Sequence, residues 1–192
     1  MGSCFEFLRF LGVPVELTFT RRNFPQRWAW SRGIKGVMGL PVKEFMTEVE
    51  IEAPTEVAWR VLEDLPAYES WNPMLRRVQG RLEEGRRLRV LFQPTGWRAH
   101  RFFPKLLSVV PGREIRWTMP FKVPGLYDFE HYWVLQPLEG GKTILKQGVR
   151  LSGLLAPLIW WWLKRAEGPF REMNEAHKRR AEALKEVSGD LG

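Results

Sequence analysis

The sequence predicts an α+β domain in which a curled antiparallel sheet grips one long C-terminal helix, and three observations predict it. Between Phe45 and Leu151 the chain breaks into short runs of alternating apolar and polar residues, separated by Gly- and Pro-containing turns that leave no room for crossover helices. Leu151 to Val187 is the only stretch long enough for a major helix: after Lys164, the residues Phe170, Met173, His177, Ala181 and Leu184 recur every three or four positions with charges between them. Finally, 192 residues that are 44% hydrophobic and 13% aromatic can bury one sizeable core, so one domain with an appendage is the simplest organisation.

Taken in order, residues 1–40 are an N-terminal basic and aromatic extension, ahead of a domain spanning 41–188. The extension mixes Phe5, Phe7, Phe10, Phe19, Phe24, Trp28 and Trp30 with Arg9, Arg21, Arg22, Arg27 and Arg32, and carries neither a sustained apolar run nor a small-residue cleavage site. A secretory signal is therefore not expected. Three readings stay open for it: an ordered extension packed on the domain, an arm that touches a membrane or partner, or sequence upstream of a start at Met38 or Met46.

In the first strand Phe45, Thr47, Val49 and Ile51 form a dry face, while Met46, Glu48, Glu50 and Glu52 form a wet, acidic one. Pro54 or Thr55 opens a helix running to Asp64, with Val57, Val61 and Leu62 as its apolar side. Leu65-Pro66 breaks it, and a second helical turn carries Tyr68 to Trp71 before Asn72-Pro73. Six further strands are expected near 74–82, 86–93, 101–110, 114–119, 129–135 and 142–151, giving seven in all. Glu139-Gly140-Gly141 is the turn that sets the register of the last pair: His131 across from Val149, Trp133 from Gln147, Leu135 from Leu145.

The C-terminal segment opens with ten apolar residues, Leu154 to Leu163. Trp160, Trp161 and Trp162 cannot share one face, because neighbours on a helix sit about 100° apart, so at least one ring should be exposed or touch something outside the core. Pro169 should kink or interrupt the helix. The part before it reads as a rigid helix start over the sheet edge, with a flap over an internal cavity as the alternative.

Five segments resemble the bacterial polyketide cyclase/dehydrase-like proteins of the START-related (SRPBCC, Bet v 1-like) superfamily: Ile51 to Trp59, Tyr68 to Pro73, Val109 to Trp117, Gly125 to His131 and Leu151 to Leu155. The resemblance covers about residues 45 to 187 and implies the helix-grip fold, with an apolar cavity between sheet and long helix. It leaves function open, because one scaffold in that superfamily serves carriers, receptors, cyclases and co-chaperones.

Given that cavity, its expected wall is Phe92, Trp117, His131, Trp133, Gln147 and Val149 from the strands and Phe170 and Met173 from the helix, with Trp71 and Asn72 beside the mouth together with the loop from Pro120 to Asp128. Without the resemblance, Trp117 and Trp133 would read as plain core. His177 lies among Glu175, Lys178, Arg179 and Arg180, and a partly exposed position is expected for it. Burying about ten methylenes at roughly 0.8 kcal/mol each would suffice for about micromolar binding, with His131 and Gln147 orienting a polar group on the ligand.

Signs of catalysis are sparse. The chain has no nucleophile elbow, no phosphate-binding glycine loop, and histidines at 100, 131 and 177 too scattered to argue a metal site. His131 is the candidate acid/base for a cyclase- or dehydratase-like reaction. The resemblance implies that a glutamate often faces it from the last strand, where this chain has Val149, and Glu130 points the other way. The expected function is binding of a hydrophobic small molecule or lipid, with that enzyme as the alternative; no cofactor or metal is expected.

A single cysteine, Cys4, excludes an internal disulfide and fits a cytoplasmic protein. The net charge of +8 raises nucleic acid as a partner, but half the excess sits in the first 40 residues, with six Lys/Arg against two Asp/Glu, so none is expected. Peripheral membrane contact through Trp160–Trp162 or the extension stays open, because the apolar run is half of the about 20 residues a span needs. Oligomeric state is not encoded legibly.

Overall fold

The computed structural model describes residues 41–96, 98–119 and 125–189, with the side chains of Trp162 and Ser188 outside that description. The N-terminal extension and most of the loop expected at the cavity mouth therefore lie outside the described residues.

The alternation in the first strand becomes β1, Val42–Ile51, with Thr47 and Ile51 buried and Met46, Glu48 and Glu50 exposed. Pro54 caps α1, Thr55–Glu63, its carbonyl accepting the Val57 and Ala58 amides, a place where proline's missing donor costs nothing. A 3₁₀ turn, Leu65–Ala67, and the short α2, Tyr68–Trp71, follow. Then come β2 (Leu75–Gln79), β3 (Arg89–Phe92), β4 (His100–Phe102), β5 (Lys105–Val110), β6 (Glu114–Thr118), β7 (Asp128–Leu138) and β8 (Lys142–Ser152). The chain ends in α3 (Ala156–Leu163), a 3₁₀ turn (Lys164–Ala166) and α4 (Glu167–Gly189).

The architecture is the helix grip, with one correction to the strands and one to the C-terminal helix. There are eight among the described residues rather than seven, and they form two antiparallel sheets, ordered β1-β8-β7-β6-β5 and β2-β3-β4. The extra strand arises because the run expected at 101–110 divides at Phe103-Pro104. Pro104 has no N–H to give a ladder, and its carbonyl instead accepts the Leu88 amide at 3.0 Å. That bond, with Leu106 N–H to Arg86 O at 2.8 Å and an Arg87–Lys105 bridge, ties the two sheets into one curve. The second correction concerns Pro169. The helix is interrupted before it, at Lys164–Ala166, and Pro169 sits in the first turn of α4, where no amide partner is lost.

β1 is an edge strand, and α4 covers its open edge with side chains. Lys178 and Lys185 donate to the carbonyls of Glu50 and Glu52 at 2.8 and 2.6 Å, while Glu182 accepts the Glu52 amide at 2.8 Å. Unpaired edge groups are thereby satisfied without another strand.

The two faces of the large sheet differ in kind. The outer one carries a polar network in which Arg116 reaches Glu130 at 2.7 Å and Glu114 at 3.1 Å, and Ser108 donates to Glu114 at 2.8 Å. Tyr132 crosses β8 to donate to Glu44 at 2.7 Å. It crosses over Gly148, where an added Cβ would lie 2.5 Å from the ring and 2.7 Å from the Phe45 carbonyl. Gly148→Ala is accordingly expected to destabilise the fold by about 1–3 kcal/mol, because backbone as well as ring must move. Urea unfolding checks it; an unchanged midpoint would mean that the ring does not pass there.

Candidate functional site

The inner face is built by the two longest strands. β7 and β8 pair over eleven residues in the expected register, with His131 opposite Val149, Trp133 opposite Gln147 and Leu135 opposite Leu145. β6 adds Trp117 beside His131 and Ile115 beside Trp133. Because side chains alternate, these inward residues form one layer, and α4 lays Phe170 and Met173 over it.

Seven of the ten residues singled out in the sequence meet in this layer. His131 lies against Trp133 with ring centres 4.0 Å apart, against Phe170 at 5.0 Å, and edge-on to Trp117 at 5.3 Å. Gln147 places its amide nitrogen 2.9 Å from His131 Nε2 and 3.9 Å from Met173 Sδ. All seven are buried, and Val149 lies fully buried next to His131 on β8.

The remaining three stand elsewhere. Trp71 packs on Tyr68 and, edge-on at 5.8 Å, on His177. Phe92 stacks with Phe102 at the far sheet. Asn72 is committed to local structure, its Oδ1 accepting the Met74 and Leu75 amides at 3.0 and 2.8 Å, an Asx turn that starts β2. His177 corrects its expectation. It is 2% exposed, and its Nε2 donates to the Ala58 carbonyl at 3.0 Å, tying α4 to α1.

One residue of the layer escaped the sequence reading, and a second, Thr47, was read only as part of the dry face of the first strand. Asn174, 2% exposed, donates from Nδ2 to Thr47 Oγ1 at 2.9 Å, and Thr47 in turn donates to the backbone carbonyl of Gln147 at 3.4 Å. The signal was there: Asn174 stands four residues after Phe170 and three before His177, the spacing of one helix face. Thr47 and Gln147 are direct cross-strand partners.

The electrostatics are those of a neutral interior. With the Gln147 amide nitrogen facing it, His131 Nε2 accepts and the ring proton sits on Nδ1. Burial pushes the His131 pKa down to about 3 and that of His177 to about 4, although in His177 the Ala58 carbonyl opposes the shift. Both carboxamides of the layer use their nitrogens and leave their oxygens, Gln147 Oε1 and Asn174 Oδ1, buried without a hydrogen-bond partner. Nothing in the layer is charged. Among the described residues, no group of three His, Cys, Asp or Glu side chains is placed to hold a metal ion.

The expected hollow beside His131 is met by rings in mutual contact. A groove of about 360 Å³ opens instead on the surface between α1 and the β5–β6 turn, lined by Trp59, Glu63, Pro66, Leu82, Val109 and Pro111 among others, none of which belongs to the His131 layer. Of the loop expected at the mouth, residues 120–124 lie outside the described residues.

Comparison with known proteins bears on what such a layer is for. Residues 43–188 match the family described as polyketide cyclase / dehydrase and lipid transport. Among solved structures, an aromatase/cyclase from a Streptomyces species is 19% identical with a TM-score of 0.60, over 74% of this chain and 94% of that one. A START superfamily protein from Mycobacterium smegmatis is 18% identical with a TM-score of 0.56, over 73% and 98%. Norcoclaurine synthase from Thalictrum flavum, in complex with dopamine and hydroxybenzaldehyde, is 15% identical with a TM-score of 0.56, over 81% and 95%. No curated protein matches.

The two histidines give the site a pH signature. Their folded pKa values lie below the ordinary 6.5, so both are held neutral in the fold; the stability this contributes is fully present above pH 6.5 and drains as pH falls toward about 4 and about 3. Between pH about 6.5 and 5, above most carboxylate titrations, the urea midpoint should therefore drop steadily. The double variant His131→Gln/His177→Gln should flatten that slope whatever it does to absolute stability, and an unchanged slope would show that the rings are not held neutral.

Proposed function

Because the chain belongs to the polyketide cyclase / dehydrase and lipid transport family, we propose that it binds an apolar small molecule carrying at least one hydrogen-bond donor, seated between α4 and the inner face of β6, β7 and β8. The observation that carries this reading is the pair of buried, unpartnered oxygens on Gln147 and Asn174 inside a shell of Trp117, His131, Trp133, Phe170 and Met173. A buried amide oxygen left unpaired costs on the order of 1–3 kcal/mol, and the great majority of such groups in folded proteins are satisfied. A ligand hydroxyl or N–H recovers that cost, while the rings supply the apolar contact.

The neighbours are compatible with that chemistry, since the norcoclaurine synthase structure holds two hydroxylated aromatic compounds. Binding requires Phe170 and Met173 to move off the wall. Both lie in the first third of α4, just beyond the 3₁₀ interruption, where a helix end yields more easily than its middle.

A cyclase- or dehydratase-like reaction is the second reading, favoured by the aromatase/cyclase neighbour and by a histidine in the middle of the wall. The proton chemistry weighs against it in this chain. A conjugate acid near 3 makes His131 a feeble base at neutral pH, and Val149 supplies no carboxylate to raise it.

Tryptophan fluorescence titration with 2-naphthol and naphthalene tests the binding reading. The naphthol should bind more tightly, and Gln147→Leu should weaken naphthol about tenfold while leaving naphthalene unchanged, one lost hydrogen bond being worth roughly 1.4 kcal/mol. Equal affinities for the two in the wild type, together with no co-purifying mass in native mass spectrometry, would sink the proposal. His131→Ala separates the two readings: a binder loses at most about tenfold in affinity, whereas an acid/base enzyme loses about a hundredfold or more in turnover.

A further inference from the structure

The first helix after the sheet has a face that the fold does not use. Ala156, Ile159 and Leu163 of α3 are buried and hold it to the domain, whereas Leu154, Leu158 and Trp161, four and three residues apart, are 66%, 56% and 65% exposed. This apolar stripe ends in two exposed cations, Lys164 and Arg165, and the Arg165 guanidinium lies 4.2 Å over the Trp161 ring. From Leu151 through Ala166 the chain contains no Asp or Glu, and the next acid, Glu167, is paired with Arg171 at 2.8 Å.

From this arrangement we propose that Leu154 to Arg165 seat the protein on an anionic lipid bilayer, with Leu154, Leu158 and Trp161 in the headgroup and acyl boundary and Lys164 and Arg165 on lipid phosphates. Eight residues rise about 12 Å, far short of the hydrocarbon thickness, so the helix lies in the plane of the surface. An apolar ridge with an aromatic ring and cations at its border is the composition such interfacial helices need.

Charge decides between this partner and two others. A second copy of the chain meeting the stripe about a two-fold axis would set Lys164 and Arg165 against a stripe that holds no acid to answer them. Residues 1–40, with six Lys/Arg to two Asp/Glu, offer the same mismatch. A phosphate-bearing surface answers both features at once.

The position of the stripe adds a reason for a membrane to be there. Leu154 and Leu155 donate to the carbonyls of Gly125 and Leu126, which fixes the start of α3 to the loop beside β7. On the inner side of the helix, Trp160 meets Phe45 at 5.9 Å, Phe45 meets Phe170 at 5.0 Å, and Phe170 meets His131. A helix seated on lipid is thus joined by a run of rings to the layer proposed to bind an apolar ligand. The docking surface itself stands whether or not that ligand exists.

Co-sedimentation of the full chain with vesicles of equimolar phosphatidylglycerol and phosphatidylcholine, against vesicles of phosphatidylcholine alone, tests the proposal. The anionic vesicles should bind and lose the protein as salt rises. Leu158→Ser/Trp161→Ser should cut partitioning at least about tenfold, and Lys164→Gln and Arg165→Gln about fivefold each. All four side chains are exposed, and an unchanged melting temperature with unchanged 2-naphthol binding certifies each variant. Indifference to lipid charge, partitioning unaffected by the substitutions, or substitutions that instead convert a dimer to a monomer would overturn the assignment. Loss of naphthol binding in the wild type bears only on the ligand reading and leaves this result standing.

Discussion

Everything about this fold's interior depends on the register of β7 against β8. Eleven paired residues, closed by the turn through Gly140 and Gly141 at positive φ, decide which side chains face α4 and which face solvent. As paired, His131, Trp133, Leu145, Gln147 and Val149 point inward, while Glu130, Tyr132, Lys146 and Arg150 point out. A slip of one residue would bury the Glu130–Arg116 pair beneath the helix and turn the aromatic wall to water. Gly148 guards the same alignment from the outside, because only a residue without Cβ lets the Tyr132 ring cross β8 to reach Glu44. The dry side and the ionic side therefore hold one another in place.

Much of this was legible in the sequence because it rests on period-two alternation, a strong local signal. The β1 faces, the order of elements, both short helices and the β7–β8 register all follow from residue spacing and turn chemistry. What resisted had identifiable causes. Pro104 sat inside a plausible strand, and the rule that proline leaves a ladder would have divided it. His177 looked exposed because Lys178, Arg179 and Arg180 follow it, yet successive residues on a helix face different ways. Its distance of seven from Phe170 and four from Met173 was the better guide. Asn174 was missed for a different reason: a polar residue between Phe170 and His177 was not counted as part of their face. Trp71 and Asn72 were drawn into the site by the resemblance to helix-grip proteins and Phe92 by its strand spacing; Trp71 and Phe92 pack on local rings, and Asn72 spends its Oδ1 on the turn into β2.

The chemistry of the layer follows from one substitution of type. With a carboxylate at position 149, His131 would have a charged partner and a pKa held near or above its ordinary value. With Val149 and a Gln147 amide in its place, burial acts unopposed and the ring stays neutral. Charge is thereby confined to the outer face, where Arg116, Glu114 and Glu130 are partly exposed and answer one another's charge. Inside, polarity survives only as neutral dipoles. Those of Gln147 and Asn174 are half satisfied, with nitrogens bound and oxygens bare. An interior of that kind suits the proposed guest, an apolar molecule met by shape and by one or two donor groups.

A neutral, closed interior raises the question of how a guest gets in, and the helices answer it. α4 is anchored firmly in its middle and later turns, where His177 bonds to Ala58 and Lys178, Glu182 and Lys185 bond to the β1 edge. Its first turns, which carry Phe170 and Met173, lie on the free side of those anchors and follow a 3₁₀ interruption. α3, before that interruption, is the helix with the exposed apolar stripe. An apolar guest held in a bilayer need never cross water if the element bearing Leu158 and Trp161 lies on that bilayer. Trp160 of α3 meets Phe45, and Phe45 meets Phe170; Phe170 and Met173 are the two side chains that the proposed binding displaces from the wall. If both proposals hold, the exposed stripe and the unpaired oxygens, which look like two separate departures from good packing, belong to one function.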